Sequence, residues 1–415
     1  MSEEQRTVRT TAESATSLVM IAPDRRTHAA AVIDLMAKAL PEAHGYYWMR
    51  DACRDAYLLP AHYDWHTSRI GMIGDRVVTH YGVWDYQMRI GTARVRVGGV
   101  GGVATDADLR KRGFMDRTAR ASIEAMRAHG YDVSLLFGIP DFYHRFGYVR
   151  AWSDTLVVAY AWDLPKEKPT VRVSGFKPRA HRDLADLYNR CYATTTGTAV
   201  RPTYTKKTNP WFDLPVGYRW DVNGKPAGYV LLRRRGNSIT CGEYCGDAEE
   251  ALRVLGMLAR RWNCQEIRFD SLPYNCELVR KLRWGNSRVE VHNHRNGSAL
   301  VALLNLRSGL GKMEDELSLR MRNSALADWA GALLIADTRD EVMLSISGGR
   351  VRADEPGPTS HAIRGGDEIV QLLIGTDRPS EVIEAGRMRL AGDAGRLAEV
   401  LFPEQHPTLS HPDHF

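Results

Sequence analysis

The sequence predicts a mixed α/β protein with two α/β units followed by a C-terminal α+β unit. Three observations indicate this class. β-Branched residues alternate between residues 69 and 104, a helix follows at about residues 113–129, and the same order recurs in weaker form after residue 165. At 415 residues the chain is too long for one compact core, so two or three domains are expected.

The composition is that of an ordinary globular protein. Hydrophobic residues make up 44% and charged residues 26%, and the formal net charge is +6. No apolar run reaches the roughly 18 residues of a membrane span, and the polar start of the chain is not a secretory signal. No Lys/Arg cluster indicates a nucleic-acid partner. The six cysteines show no CxxC pair, which favours reduced thiols, no metal site and a cytoplasmic location.

The first predicted unit, residues 18–164, follows a disordered arm at residues 1–17. It opens with a short strand and an amphipathic helix whose apolar residues recur at helical spacing. Turns at Gly74 and Gly91 divide the following meander into antiparallel strands. The elements predicted after the long helix are a strand at 133–137, a short helix at 141–145 and a strand at 149–160.

The second predicted unit spans residues 165–295 and the third spans residues 296–415. The second repeats the order of the first, with a strand at 170–176, a helix at 180–191, a hairpin around Gly224, a helix at 249–262 and a strand at 266–270. No residue-level repeat is visible, so the duplication is inferred from element order alone. The third is predicted to be α+β, with a helix at 313–321, strands at 333–335 and 341–347, and helices at 367–374 and 379–385.

The segment that indicates chemistry is a basic turn, which leads from the last meander strand into the long helix. It reads GVGGVATDADLRKRGFM from Gly99 to Met115. The N–H groups at a helix start have no intrahelical partners, and the helix dipole favours an anion there. A pyrophosphate is therefore a suitable ligand, with positive charge from Lys111 and Arg112 and close backbone approach at Gly113. The alternative to a pyrophosphate site is that these basic residues are simply a solvent-exposed part of the surface.

A second motif, GIPDFYHRFGY, follows the next strand and runs from Gly138 to Tyr148. The RxxG turn that ends at Gly113, paired with the later RFGY motif, resembles the GNAT N-acetyltransferases. More closely, the chain resembles the Eis (enhanced intracellular survival) acetyltransferases along essentially its whole length, including the last residues from Ser410 to Phe415. That resemblance implies a catalytic GNAT domain at 18–164, a degenerate GNAT domain at 165–295 and a sterol-carrier-like domain at 296–415.

The resemblance implies an N-acetyltransferase that uses acetyl-CoA as co-substrate, without a metal, and in which an amine attacks the thioester directly. The implied CoA-binding residues are Val103, Ala104 and Thr105 at the pantetheine, Lys111, Arg112, Gly113, Phe114, Met115 and Asp116 at the pyrophosphate, and Gly138 and Ile139 opposite. The family's proton donor falls on Tyr143, with Tyr148 as the competing tyrosine. Its proton acceptor falls on the C-terminal carboxylate of Phe415, for which a frayed chain end is the alternative.

The acceptor is expected to be a small-molecule or protein amine: an aminoglycoside, another amino-sugar or amine metabolite, or a lysine. Aromatic residues concentrate between residues 45 and 86, and aromatic rings bind sugars, flat rings and cations. The candidates for the acceptor wall are Tyr46, Trp48, Trp84 and Tyr86, for which core packing is the alternative. Asp413 and His414 are further candidates to shape this site. The resemblance also implies a homo-oligomer, for which a hexamer is one candidate.

The second unit departs from the family pattern at the corresponding turn, where YCGDAE replaces the basic residues from Tyr244 to Glu249. Acidic side chains repel a pyrophosphate, so this unit is predicted not to bind CoA. The rival function is a non-catalytic protein that binds CoA or an apolar ligand on a relic acetyltransferase fold. The intact basic turn and the terminal Phe415 oppose that rival.

Overall fold

The computed structural model describes residues 17–40, 45–58, 62–176, 182–201 and 216–415. Apart from Ser17, the predicted arm lies outside the described residues. The chain forms two compact units. The first unit comprises residues 1–85, residues 98–131 and Phe415, and the second comprises residues 86–97 and 132–414.

The first unit contains a sheet with helices on both faces. Its strands are β1 (Val19–Ile21), β2 (Arg69–Ile73) and the larger parts of β3 (Arg76–Ile90) and β4 (Ala93–Thr105). β1 pairs antiparallel with β2, β2 pairs antiparallel with β3, and β4 lies beside β3. Its helices are α1 (Ala29–Ala39), α2 (Gly45–Ala52), a π-helix (Cys53–Leu58), a 3₁₀ turn (Ala107–Leu109) and α3 (Phe114–Ala128). The predicted first strand, first helix, meander and long helix are confirmed.

Two helices cover opposite faces of this sheet. The Thr118 hydroxyl of α3 hydrogen-bonds the Thr79 hydroxyl of β3 at 2.7 Å. On the other face, a Cβ added at Gly102 of β4 would lie 2.6 Å from the sulfur of Met36 in α1. Neighbouring residues of a strand point to opposite faces, and His80, which follows Thr79, contacts Gly102. The sheet is therefore the middle layer of a three-layer unit.

The second unit continues the chain with three groups of strands. β5 (Val133–Gly138) pairs antiparallel with β14 (Ser298–Leu303), which also pairs with β6 (Val149–Arg150). The strands of the next sheet are β7 (Asp154–Tyr160), β8 (Val173–Phe176), β9 (Val216–Val222), β10 (Lys225–Arg235), β11 (Ser238–Cys245), β12 (Glu266–Asp270) and β13 (Ser287–His292). They lie in the order β13-β7-β12-β11-β10-β9-β8. We call this sheet the second sheet.

A third sheet and the remaining helices complete the second unit. The strands are β15 (Gly331–Ala336), β16 (Glu341–Ser347), β17 (Arg350–Asp354), β18 (His361–Arg364) and β19 (Arg389–Ala391), in the order β17-β16-β15-β18-β19. The helices are α4 (Arg182–Cys191), α5 (Ala248–Arg261), α6 (Glu277–Trp284), α7 (Leu306–Arg322), α8 (Ile369–Ile374), α9 (Pro379–Ala385) and α10 (Ala394–Leu401). Short 3₁₀ turns lie at Tyr143–Phe146 and His411–Asp413.

The order β9-β10-β11-α5-β12 repeats the order β2-β3-β4-α3-β5. In α5 the residues Ala251, Val254, Leu255 and Leu258 are buried at helical spacing against the second sheet. The predicted mixed α/β class is confirmed, with two recurring α/β element orders and a further α+β region. The domain boundaries at residues 164/165 and 295/296 stay predictions.

One predicted strand, at residues 149–160, is wrong as a single element. It is divided into β6 and β7, which lie in different sheets. The backbone between them is held by distant side chains: Gln371 donates to the carbonyl of Arg150 and Thr376 donates to the carbonyl of Ala151, both at 2.8 Å. The elements β11, α6 and α10 were not predicted from the sequence.

Candidate functional site

The backbone of β4 changes direction at Gly102, whose φ is +56°. Its carbonyl accepts a hydrogen bond from Nδ1 of His80 at 2.7 Å, and Nε2 of His80 lies 2.8 Å from the Tyr63 hydroxyl. Burial lowers the pKa of His80 to about 4, against the opposing effect of the Gly102 carbonyl, so the ring is neutral near pH 7. A neutral, buried histidine therefore fixes the β4 backbone just before Val103.

The turn after β4 is organised by local contacts and then opens to solvent. The Asp106 side chain accepts a hydrogen bond from the backbone N–H of Asp108 at 3.2 Å and forms an ion pair with Arg76. Lys111 has a φ of +63°, and Gly113, with a φ of +74°, occupies the N-cap position of α3. A Cβ added at Gly113 would meet no atom within 4 Å. The turn thus leaves free space directly above the helix start.

The start of α3 is basic. In the part of the chain that the structure describes, no side chain caps this helix. Within the described residues, the exposed side chains of Lys111 and Arg112 form no ion pair. The first-turn carboxylate of Asp116 is paired with Arg120 at 3.0 Å. Among the described residues, the helix start thus combines N–H groups without a side-chain cap, the helix dipole and two cations without an ion pair, which are the features that favour a multiply charged anion.

The other predicted cofactor-binding residues of the first unit lie on both sides of this turn. Val103 and Thr105 are half-buried in β4, and Ala104 is buried. In α3 the Phe114 side chain is half-buried and the Met115 side chain is buried. The Met115 side chain therefore belongs to the core, so only its backbone can serve a ligand.

In the second unit, the end of β5 packs against Tyr143. A Cβ added at Gly138 would lie 2.5 Å from Cδ2 of Tyr143, so only glycine fits there. Ile139, the next residue, is 64% exposed. Tyr143 itself is buried, and its hydroxyl makes no hydrogen bond to the described part of the chain. Burial, reinforced by nearby Tyr148, raises the pKa of Tyr143 above its ordinary value, so the phenol is protonated near pH 7.

The competing tyrosine, Tyr148, is differently placed. Its hydroxyl lies 2.6 Å from the Ser134 hydroxyl, and the residue is only 1% exposed. Around it, the Arg145 guanidinium covers the ring of Phe142 at 4.3 Å. Tyr148 therefore has a structural partner for its hydroxyl, whereas Tyr143 has a hydroxyl available for a ligand.

The terminal residue Phe415 is buried in the first unit. A Cβ added at Gly99 of β4 would lie 2.4 Å from Cδ1 of the Phe415 ring, and Phe415 is 7% exposed. This close approach is possible because Gly99 has no side chain. The ring is thus packed against β4 and is not a frayed end.

The four candidates for the acceptor wall have different environments. The Tyr46 hydroxyl donates to Oδ1 of Asp34 at 2.6 Å, and Trp48 is 41% exposed. Trp84 is almost fully buried and packs edge-to-face on Tyr63 at 5.1 Å. Tyr86, two residues later on β3, belongs to the second unit, where burial and the charge of Asp413 raise its pKa. The side chain of Trp48 is therefore the most accessible of the four.

A cavity of about 630 Å³ lies within the second unit. Its wall includes Phe137, Trp152 and His414, and the Phe137 and His414 rings stack at 3.8 Å. Asp270, also in the wall, has one carboxylate oxygen that is buried without a hydrogen-bond partner among the described residues. Burial raises the pKa of this carboxyl group. Sequence reasoning missed Asp270, because nothing local distinguishes it from other residues at the end of a strand.

No cluster of three or more His, Cys, Asp or Glu side chains suited to a metal ion occurs among the described residues. Within the same residues, no helix combines the length and apolarity needed to span a bilayer.

The open helix start lies in a part of the chain that matches a known family model. Residues 17–151 match the family model of the acetyltransferase (GNAT) domain. Over nearly the whole chain, solved structures have a similar fold. A GCN5-related N-acetyltransferase from Anabaena variabilis is 13% identical with a TM-score of 0.75, covering 95% of this chain and 99% of that one. Another from Kribbella flavida is 18% identical with a TM-score of 0.71, covering 97% and 100%.

Eis1 from Mycobacterium abscessus is 16% identical with a TM-score of 0.67, and the match covers 96% of this chain and 100% of that one. At such identities the likeness shows the fold alone. No curated protein matches the sequence.

Proposed function

We propose that this chain is an acetyl-CoA-dependent N-acetyltransferase that transfers the acetyl group to a primary amine by direct attack. The observation that carries the proposal is the start of α3, where, among the described residues, no side chain caps the helix, Lys111 and Arg112 form no ion pair, and the space at Gly113 is open. It occurs within the residues that match the GNAT domain. The solved structures of similar fold include proteins described as N-acetyltransferases.

The residues at this helix start suit the polyphosphate of CoA. Backbone N–H groups and two cations satisfy phosphate oxygens without burying an unpaired charge. We assign Lys111, Arg112 and the backbone from Gly113 to Asp116 to the pyrophosphate, and the backbone of Val103 to Thr105 to the pantetheine. When bound, acetyl-CoA supplies the thioester; the chain orients it and handles the protons.

Tyr143 is the proposed proton donor for the leaving thiolate. A donor must carry its proton at working pH, and the raised pKa of Tyr143 meets this condition. Its hydroxyl is also uncommitted within the described residues. The proposed proton acceptor is the carboxylate of Phe415, supported by the resemblance and by the buried ring against Gly99.

The proposed acceptor is a primary amine, and aminoglycosides, other amino-sugars, amine metabolites and protein lysines stay as alternatives. A homo-oligomer in the cytoplasm and a sterol-carrier-like third domain also stay proposals from the resemblance. Sedimentation of the purified chain tests the oligomer, and a lipid-binding assay tests the third domain.

The experiment that tests the function measures thiol release from acetyl-CoA with a panel of amines. We expect turnover with at least one amine and an acetylated product one acetyl group heavier by mass spectrometry. CoA binding without thiol release for any amine class would instead favour the non-catalytic binding protein.

The Phe415 role is tested at the chain end. Deleting Phe415 moves the carboxylate back by one residue, about 3.5 Å, which is beyond hydrogen-bond reach of the amine. A C-terminal tag converts the carboxylate into a neutral amide. We expect severe loss of kcat in both, a milder loss in Phe415→Ala, and retained CoA binding in all three. Equal turnover of tagged and untagged protein would remove this role from Phe415.

A further inference from the structure

The segment between α10 and Phe415, residues 403–414, is held in the second unit by a buried ion network; we call this segment the tail. Both carboxylate oxygens of Asp413 accept hydrogen bonds from Arg201, at 2.9 to 3.1 Å. The same guanidinium donates to Glu243 of β11 at 2.8 Å. The side chains of Arg201, Glu243 and Asp413 are 7%, 0% and 1% exposed.

Arg201 is held in place by residues outside the tail. Its guanidinium lies 3.5 Å from the ring centroid of Tyr188 in α4. Asn189, the next residue of α4, accepts from the backbone N–H of Arg201 and donates to its carbonyl, at 3.0 and 2.7 Å. Burial opposes the charge of Arg201, but the carboxylates of Asp413 and Glu243 outweigh it and raise the pKa of Arg201 well above its ordinary value. Arg201 is therefore a permanent, pre-positioned cation.

Further contacts join the tail to the same region. The backbone N–H of Thr408 donates to the carbonyl of Thr196 at 3.1 Å. Nδ1 of His411 accepts from Nη2 of Arg233 in β10 at 2.5 Å. Burial, with the charges of His414 and Arg233, lowers the pKa of His411 to about 2, so this ring remains a neutral acceptor. The tail therefore contacts β10, β11 and the segment after α4.

The elements that hold the tail belong to the second α/β region, whose helix start is occupied by its own carboxylates. Asp247 caps α5, and Glu250 accepts from the backbone N–H of Thr170 at 2.6 Å. At its helix start this region thus has carboxylates, where the first α/β region has Lys111 and Arg112 without an ion pair among the described residues.

We propose that the second α/β region anchors the tail, with Arg201 and Asp413 as positioning residues for Phe415. The inference rests on the proposed function, in which the Phe415 carboxylate accepts a proton. Asp413 precedes Phe415 by two residues, a span of about 7 Å of extended chain. Fixing Asp413 therefore restricts the reach of the terminal carboxylate, and a misplacement of about 1 Å is enough to slow a reaction severely. A buried Arg201 without Asp413 would lose part of its charge compensation, and this free-energy cost favours the anchored state of the tail.

The test combines hydrogen exchange with kinetics on the full-length protein. Asp413→Asn keeps the shape of the side chain but removes its charge, and Glu243 remains to neutralise Arg201. The matched control is Glu316→Gln, which removes a buried ion pair with Arg320, 2.8 Å long. The Glu316 carboxylate otherwise hydrogen-bonds Thr92, which is not part of the tail. Arg201→Lys serves as the conservative variant, because a lysine keeps the positive charge but cannot make the bidentate contact to the carboxylate.

In Asp413→Asn we expect amide exchange in residues 404–415 to accelerate at least about 10-fold. We expect kcat to fall at least about 10-fold while the KM for acetyl-CoA stays within about two-fold. Arg201→Lys is expected to give intermediate values for both, and Glu316→Gln should leave tail exchange and kcat unchanged.

Unchanged tail exchange in Asp413→Asn overturns the proposal. So does faster exchange with an unaltered kcat, or an equal loss of kcat in Glu316→Gln. If the wild-type chain acetylates no amine, the proposed function fails, whereas the exchange measurement still decides whether Arg201 holds the tail.

Discussion

The starts of α3 and α5 occupy the same place in two similar element orders, yet they are arranged in opposite ways. α5 begins with Asp247, whose side chain accepts from the backbone N–H of Glu250 at 2.8 Å. Its first-turn Glu249 is paired with Lys281 at 2.9 Å. α3 begins after Gly113, where the described residues provide no side-chain cap and no ion pair for Lys111 or Arg112.

Both helices have the same dipole, so the difference lies in which group satisfies it. An N-cap such as Asp247 stabilises a helix by about 1 kcal/mol. α3 lacks that stabilisation, and its first N–H groups therefore remain available to a ligand. A helix start that both lacks an N-cap side chain and carries basic residues thus indicates an anion-binding site better than either feature alone.

The largest effect is expected when the charge at the start of α3 is reversed. Lys111→Glu/Arg112→Glu removes two charge-assisted contacts of about 1.5–3 kcal/mol each. Calorimetry of the wild type is expected to give one CoA site per chain, and the affinity of that site should fall at least about 10²-fold in the double variant. The control is Arg387→Glu/Arg389→Glu, a second exposed pair with no ion pair among the described residues and the same change in net charge. Two CoA sites per chain would contradict the contrast between α3 and α5.

The basic turn, the helix that follows it and the acidic second turn could be predicted because each depends on adjacent residues. Lys111, Arg112 and Gly113 lie where the sequence places them, at the start of α3, and Asp247 lies at the start of α5. Local sequence carries the signals for turns, caps and helix starts.

Features that depend on distant residues could not be predicted. Arg201 and Asp413 are 212 positions apart, and no local pattern marks them as partners. The division of the strand at residues 149–160 likewise depends on Gln371 and Thr376, more than 200 positions away. The ordered position of Phe415 was expected only from the resemblance, because the last residue of a sequence is by itself expected to be frayed.

Two buried tyrosines, Tyr143 and Tyr244, show a similar contrast. The Tyr244 hydroxyl of the second region accepts from the backbone N–H of Leu278 at 3.2 Å, whereas the Tyr143 hydroxyl has no such partner among the described residues. We expect Tyr143→Phe to lower kcat roughly 10²-fold with little change in CoA affinity. Tyr148→Phe, which loses the contact to Ser134, should lower the free energy of unfolding by about 1 kcal/mol and leave kcat near normal. The reverse pattern would assign the proton to Tyr148.

The glycines beside the two helix starts should respond differently to an added methyl group. At Gly246, with a φ of +100°, a Cβ would lie 2.4 Å from the backbone oxygen of Ala227. At Gly113 a Cβ meets no atom within 4 Å. We expect Gly246→Ala to lower the free energy of unfolding by about 2–4 kcal/mol without affecting CoA binding. Gly113→Ala should cost about 1 kcal/mol from its left-handed backbone and weaken CoA binding several-fold. Urea unfolding and calorimetry measure both.

The smallest effect is expected at the cap of α5. Asp247→Ala removes the acceptor for the N–H of Glu250, and the loss should be about 1 kcal/mol in the free energy of unfolding. Asp247→Asn, which keeps an acceptor oxygen, should be nearly neutral. CoA stoichiometry should stay at one site per chain in both, because the carboxylate of Glu250 still occupies the helix start through its bonds to Thr170 at 2.6 and 2.8 Å. A second CoA site in Asp247→Ala would show that a single carboxylate, and not the whole arrangement of the turn, separates the two regions.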